Sequence, residues 1–521
     1  MRPPVSSRRS VRPLLAALLA LAAACSGDVP TSPGTGTGAR PDTTPTPPTP
    51  FTVPAIPREF RGMWIATVAN IDWPSRSGLT IAQQQAELVT LFDVARQTGL
   101  NAVILHVRAA GDALYPSTLE PWSRSFTGTQ GGDPGWDPLA FAVREARSRG
   151  LELHAWFNPF RAGNLSDTLR LAPSHFGVRR PDVMRRSCSQ LWFDPGESAA
   201  QDQAIAVVKD VLARYDVDAV HLDDYFYPYP SGTCTAASFP DSVPYARYRS
   251  GGGTLGRDDW RRDNINRFVE RLYREVRVAS TQVRVGISPF GIWRPGNPPG
   301  ITGLDSYASI YADSRLWLQR GWVDYFAPQL YWSTTSTGQN YGNLLSWWTQ
   351  QNTMGRHLWP GLASYRINDG STAPYAPTEI GAQVDAMRVQ SRTAGGPSGV
   401  ILYNASSVRT DRGGFASALR SGQFATLALP PATVWLDGTA PPAPTISVTA
   451  GTTARTVTIT PSGTDAWWWL VRSRVGGSTW QSTLVPASAR TVDVAPLTVD
   501  GIVVTAVDRA GNVSPDVTWR P

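Results

Sequence analysis

The segment "HLDDYFYPYP" (221–230) brings a histidine, two adjacent aspartates and three tyrosines together. Neighbouring carboxylates repel, so their pKa values separate, and one can hold a proton while the other stays ionised. Cleaving a glycosidic bond needs that equipment: an acid on the leaving oxygen and a second group supporting an oxocarbenium-like centre. The same pair would serve as an ion-pair or capping device if basic groups faced it. What it does depends on where the preceding apolar run delivers it.

That run, "VDAVHLDD" (217–224), is the fourth of eight. The others are "GMWIATV" (62–68), "LNAVILHVR" (100–108), "LELHAWFN" (151–158), "VRVGISPFG" (283–291), "VDYFAPQLYW" (323–332), "HLWPGLASY" (357–365) and "GVILYNAS" (399–406). Amphipathic helical patterns separate them, several ending at a glycine such as Gly99, Gly150 or Gly321. Near-continuous apolar strands alternating with helices predict an α/β fold, a closed (β/α)8 TIM-type barrel over residues 56–430. An open doubly wound sheet is the second reading, but no Gly-rich phosphate fingerprint follows the first run. From 431 to 521 short alternating strands predict a β-sandwich, and its ending "TAVDRAGNVSP" resembles fibronectin type III and Ig-like modules. Trp467, Trp468 and Trp469 cannot all enter one core, because neighbours on a strand face opposite sides.

Barrel enzymes carry their sites at the C-terminal ends of the strands. Those ends, with the loops behind them, supply Trp64, Asp72, Trp73, His106, Arg108, Asn158, His221, Tyr225, Tyr227, Trp293, Gln329, Tyr331, Trp332, Tyr403 and Asn404. Aromatic faces stack on sugar C–H surfaces, while amides and charged groups ligate hydroxyls, so these are the expected substrate-binding residues. Asp223 and Asp224 are the expected catalytic pair, with the choice of acid left open. No Asp or Glu ends strands five to eight, so a second carboxylate from a distant strand is missing. Loop residues Asp72, Asp112, Glu120, Asp194 and Asp305 are the alternatives; otherwise the substrate's own acetamido group is the nucleophile. Histidines 106, 154 and 221 lie in strands, but no HxH or HExxH occurs, so no metal and no cofactor are expected.

The N-terminus reads as an address. Arg2, Arg8, Arg9 and Arg12 precede "LLAALLALAAAC", so residues 1–25 read as a secretory signal whose Cys25 is the lipidated residue of a lipobox. Cleavage without a lipid is the simpler alternative. Residues 26–55, rich in Pro, Thr and Gly, form a tether that cannot bury a core. The expected location is therefore the cell envelope, exported and lipid-anchored at the outer membrane or periplasm. Without Cys25, Cys188 and Cys234 remain as a disulfide candidate in an oxidising compartment. The net charge of +7 comes almost wholly from arginine, with Lys209 the only lysine and no basic run in the folded part. No nucleic-acid partner is expected.

"FRGMWIATVANIDWPS", "LHVRAAGDALYPS", "WFNPFR", "WFDPG", "HLDDYFYPYP", "GISPFGIWR" and "YFAPQLYW" together resemble the bacterial glycosyl-hydrolase-like family 10 lipoproteins. The resemblance covers about Arg58 to Ser407. It implies a barrel glycosidase of the cell envelope that cuts N-acetylated amino-sugar glycan, peptidoglycan strands stripped of stem peptides above all. The family's strand-four aspartates fall on Asp223 and Asp224. The pair also resembles the adjacent aspartates of some barrel N-acetylhexosaminidases that use the substrate's acetamido group. The "DxxDxDxE" of chitinase-like barrels is absent. Hydrolysis of another polysaccharide, or glycan binding without catalysis, are the competing functions.

Overall fold

The computed structural model describes residues 52–521 except 233, 236 and 237. The expected signal, Cys25 and nearly all of the tether lie outside the described residues. Among the described residues no helix is long and apolar enough to cross a membrane.

The larger part is a nine-stranded, all-parallel sheet curled around its own interior. Its strands are β1 (Phe60–Ile65), β2 (Ala102–Arg108), β3 (Glu152–Phe157), β4 (Ala219–Leu222), β5 (Arg284–Ile287), β6 (Tyr325–Phe326), β7 (His357–Leu358), β8 (Gly361–Leu362) and β9 (Gly399–Leu402). Their order is β7-β6-β5-β4-β3-β2-β1-β9-β8. This corrects the closed eight-strand ring expected from the pattern. The seventh run is broken at Trp359–Pro360, and its halves are the two edges of an open ladder. Proline has no N–H to donate, so the ladder cannot run through it. Trp359 N still donates to Phe326 O at 2.9 Å, and Ile401 N to Pro360 O at 3.1 Å.

Helices cover the outer face. The helix Ile81–Thr98 shows why they start and stop where they do. Thr80 and Gln83 form a capping box, and Gly99 ends the helix at φ 86°. A Cβ there would lie 2.7 Å from Phe424 O. Gly321 plays the same part at φ 66°. Inside the sheet, Phe60, Trp64, Ile104, Trp156, Tyr325, Trp359 and Ile401 form a separate apolar cluster. Gly286 on β5 admits the Tyr325 ring, whose Cζ would meet a Cβ at 1.9 Å.

After β3 the chain makes an excursion that the pattern did not announce. Arg161–Asn164, Gln190–Phe193 and Met184–Ser187 pair as a small antiparallel sheet. Cys188, at its tip, is bonded to Cys234 in the loop after β4, with Cα atoms 5.7 Å apart.

The C-terminal part has two antiparallel sheets resembling a sandwich. Thr445–Ala450, Arg455–Thr460 and Thr491–Val494 form one; Thr479–Pro486, Trp468–Val475, Val499–Val507 and Val517–Trp519 form the other. Trp469 joins their shared core. Trp468 faces away, packing with Leu429, Leu484 and Val507. Trp467 lies under the guanidiniums of Arg147 (3.9 Å) and Arg509 (4.5 Å). This module docks against the strand starts: Arg509 Nη1 pairs with Asp216 (2.8 Å), Trp435 Nε1 donates to Asp324 (2.9 Å), and His357 meets Thr433 (3.2 Å). The strand ends stay clear of these contacts.

Candidate active site

At the strand ends lies a pocket of about 180 Å³. Trp64, Trp156, Asp223, Asp224, Tyr225, Ser288, Gln329, Tyr331 and Tyr403 line it. Asp223 follows β4 directly and is held from β3. Trp156 Nε1 donates to its Oδ2 at 3.0 Å, and Asn158 Nδ2 donates to the same oxygen at 3.2 Å. The Asn158 amide is itself oriented, because its Oδ1 accepts from Phe160 N (3.3 Å) and Arg161 N (2.9 Å). Oδ2 accepts twice and Oδ1 once, from Tyr225 N at 3.3 Å, so Oδ1 has the more room for a proton. The Tyr229 hydroxyl donates a short hydrogen bond to Asp224 Oδ2, and Gln329 also bonds that carboxyl.

The two carboxyls are buried alike but held differently. Burial, then the charge of Asp224, pushes Asp223 up to about 7, against the pull of Arg161 and the Trp156 bond. Burial also raises Asp224, while Tyr229, Gln329 and Arg161 restrain it. Near neutrality the pair can therefore hold a proton donor beside an ionised partner.

Under the pocket a chain of side chains fixes the floor. Trp64 Nε1 donates to His221 Nε2 at 3.0 Å. An indole N–H only donates, so His221 keeps its proton on Nδ1 and gives it to the Tyr325 hydroxyl at 2.8 Å. That hydroxyl donates to His154 Nδ1 (3.0 Å), whose Nε2 faces Glu152 at 3.2 Å. Burial holds His221 well below the usual histidine range and His154 down to about 4, so both rings are neutral. They satisfy a polar layer inside the sheet.

Of the residues expected from sequence, the pocket gathers Trp64, Asp223, Asp224, Tyr225, Gln329, Tyr331 and Tyr403, with Asn158 and His221 behind them. The rest are placed elsewhere. Trp73 is fully buried and donates to Gln84 O at 2.8 Å. Arg108 is buried against Glu120 at 2.5 Å and donates to Pro159 O. Tyr227 packs edge-on against Phe239 and Tyr311. Trp293 donates to Asp313 and stacks on Trp347. Trp332 packs on Phe290 behind the pocket wall. Asn404 caps a short helix by backbone alone. His106 stacks on Trp156 at 3.8 Å, behind the lining.

The loop carboxylates go the same way. Asp72 accepts from Ala66 N and Ser406 N, both at 2.8 Å. Asp194 pairs with Arg185 at 2.9 Å, and Asp305 caps Ala308 N. Among the described residues no carboxylate besides the pair lines the pocket. Among the described residues no group of three or more His, Cys, Asp or Glu side chains is arranged to hold a metal ion.

Arg161 escaped the sequence reading although "WFNPFR" contains it. Its guanidinium lies 4.1 Å over the Tyr225 ring and acts on both aspartates. It begins the unannounced hairpin, and nothing in its local sequence shows that the hairpin turns it back over the strand ends.

The strand ends of the curled parallel sheet thus carry an aromatic pocket around two adjacent buried acids. The glycosyl hydrolase-like 10 family profile matches residues 59–376. Glycosyl hydrolase YngK of Bacillus subtilis (strain 168) is 38% identical over 398 residues, which is 75% of this chain and 76% of that protein. Glycosyl hydrolase DigH of Escherichia coli (strain K12) is 34% identical over 343 residues, 62% of this chain and 77% of that one. The chain belongs to the glycosyl hydrolase-like 10 family and is a glycoside hydrolase acting on carbohydrate. Binding without catalysis is thereby set aside. Among solved structures, the PgaB (BpsB) glycoside hydrolase domain from Bordetella bronchiseptica aligns with TM-score 0.48 at 14% identity. That alignment covers 70% of this chain and 98% of that one, a likeness too weak to carry an argument.

Proposed function

We propose that the pocket cleaves N-acetylated amino-sugar glycan, with peptide-free peptidoglycan strands as substrate, and that Asp223 and Asp224 carry the chemistry. Asp223 is the proton donor: its Oδ2 is held by Trp156 and Asn158, and Oδ1 presents the proton to the leaving oxygen. Asp224, ionised and braced by Tyr229, orients the substrate's acetamido group as nucleophile and supports the positive charge that develops. The observation behind this reading is that, among the described residues, the pocket is lined by these two adjacent acids and no third carboxylate. Double displacement with a protein nucleophile needs a second carboxyl facing the first across the sugar. Trp64, Trp156, Tyr331 and Tyr403 supply the faces for the ring and its acetamido methyl.

The test is a substrate panel followed by product analysis. Peptide-free strands are expected to be cut with retained anomeric configuration, read by proton NMR before mutarotation. Intact peptidoglycan and neutral polysaccharides should be cut far more slowly. Inverted product would remove the acetamido mechanism; preference for a glycan without acetamido groups would remove the substrate class.

The proposal extends to location: export, lipidation at Cys25 and a tether to the envelope. The chain joins the folded body beside the C-terminal module, where Arg472 Nη1 donates to Pro54 O at 3.3 Å and Ile56 packs near Leu429. Cys25→Ser should move the protein from the membrane to the soluble fraction. If the variant stays membrane-bound, the anchor is not this cysteine.

A further inference from the structure

His106 on β2 and Trp156 on β3 are register partners across the two neighbouring strands. Partners in a parallel pair point to the same face of the sheet, here the interior, where Trp156 lines the pocket and His106 does not. Their rings stack almost flat, with 3.8 Å between centroids and 7° between planes. Trp156 also meets the His221 ring edge-on at 6.3 Å. From that seat its Nε1 donates to Asp223 Oδ2 at 3.0 Å.

The His106 ring is an odd occupant of this place. Burial, with the charge of Arg161, holds it well below the usual histidine range, so it is neutral. Among the described residues neither nitrogen makes a well-formed hydrogen bond, and the nearby Arg108 backbone does not overcome the burial. A buried polar ring without such partners costs stability. What it offers in return is a flat surface. An indole N–H bonds well only along the plane of its own ring, so fixing that plane fixes the direction of the bond.

We propose that His106 is a positioning residue: its ring is the platform that holds the Trp156 indole in the plane from which it grips Asp223. The inference rests on Asp223 as the proton donor and adds the device that sets the strength of that acid. An N–H on a carboxylate favours the charged form, so an indole free to tilt lets the Asp223 pKa rise. The other groups facing Asp223 stay in place. They are Asp224, Tyr225 and Tyr229 after β4, Arg161 in the hairpin, Asn158 after β3 and the neutral His221 ring.

The indole N–H resonance of Trp156 tests this without turnover. In protein carrying isotope-labelled tryptophan it is the signal that disappears in Trp156→Phe. It should titrate with a midpoint at about 7, following Asp223, and lose that titration in Asp223→Asn. His106→Leu fills the space without a flat face. It should move the midpoint up by about one unit, the shift one charge-assisted hydrogen bond supplies. His106→Phe restores a plane and should bring the midpoint back. A wild-type signal that does not titrate between about pH 5 and 9, a midpoint unmoved by His106→Leu, or one displaced as far by His106→Phe would overturn the platform. A protein that cuts no glycan but shows these midpoints would sink the activity proposed above and leave the platform standing. One that cuts peptide-free strands with a midpoint unmoved by His106→Leu would do the reverse.

Discussion

At the start of β3, Glu152 is buried with Arg284 at 2.7 Å; past the end of β4, Asp223 is buried with Asp224 beside it and no ion pair of its own. Burial alone raises both carboxyls, yet they end far apart. Arg284 and His154 overcome it and hold Glu152 down to about 2, whereas Asp223 stands at about 7. Asp218 lies between these extremes. Burial raises it, Arg509 lowers it from 3.8 Å away, and it settles at about 6. At Glu152 the partners thus cancel the burial penalty, which at Asp223 stands. The strand starts spend their charges on holding the sheet and the C-terminal module together. The strand ends leave theirs raised and open to a pocket, where proton transfer at neutral pH needs them.

The contrast can be broken from either end. Asp223→Asn and Asp224→Asn should each lower turnover on peptide-free strands by about 10²- to 10⁴-fold, the range of a lost acid–base group, with substrate affinity nearly intact. Variants as active as wild type would mean that the pair is only structural. At the other end, Arg284→Met leaves Glu152 buried with only the neutral His154 ring beside it. It should cost about 3–5 kcal/mol in denaturant unfolding while the surviving folded fraction keeps most of its turnover. A stable but inactive Arg284→Met would show that the two ends do not divide as described.

Much of this division was legible in the sequence. Eight apolar runs in order, separated by helical patterns that stop at glycines such as Gly99 and Gly321, announce a parallel sheet wrapped in helices. The alternation along β4 sends His221 inward and delivers Asp223 and Asp224 to the strand end. Residues on or directly after the strands, Trp64, Gln329, Tyr331 and Tyr403, were placed by that count alone. The loops were not legible in this way. Trp73 and Tyr227 in loops, and Arg108 at the end of β2, have the types that bind sugar, but each is taken up by buried partners that no strand count points to. The ring opens at Trp359–Pro360, because the proline inside the apolar run "HLWPGLASY" splits its pairing between two neighbours. Arg161 was missed because its role comes from a hairpin whose short strands, "RAGN" and "MRRS", carry no apolar alternation. Periodicity reports which side of an element is buried; it says nothing about what a loop folds back onto.

The pH dependence of kcat/KM on peptide-free strands tests most directly whether the unpaired acids do the work. A bell is expected. Activity should fall as pH rises through about 7, where the pair loses the proton held mainly by Asp223. It should also fall in acid, where Asp224, raised above the ordinary aspartate value, takes one up. The alkaline limb should vanish from the residual activity of Asp223→Asn. A wild-type profile flat from pH 5 to 9, or an alkaline limb that survives in Asp223→Asn, would contradict the assignment of Asp223 as the acid.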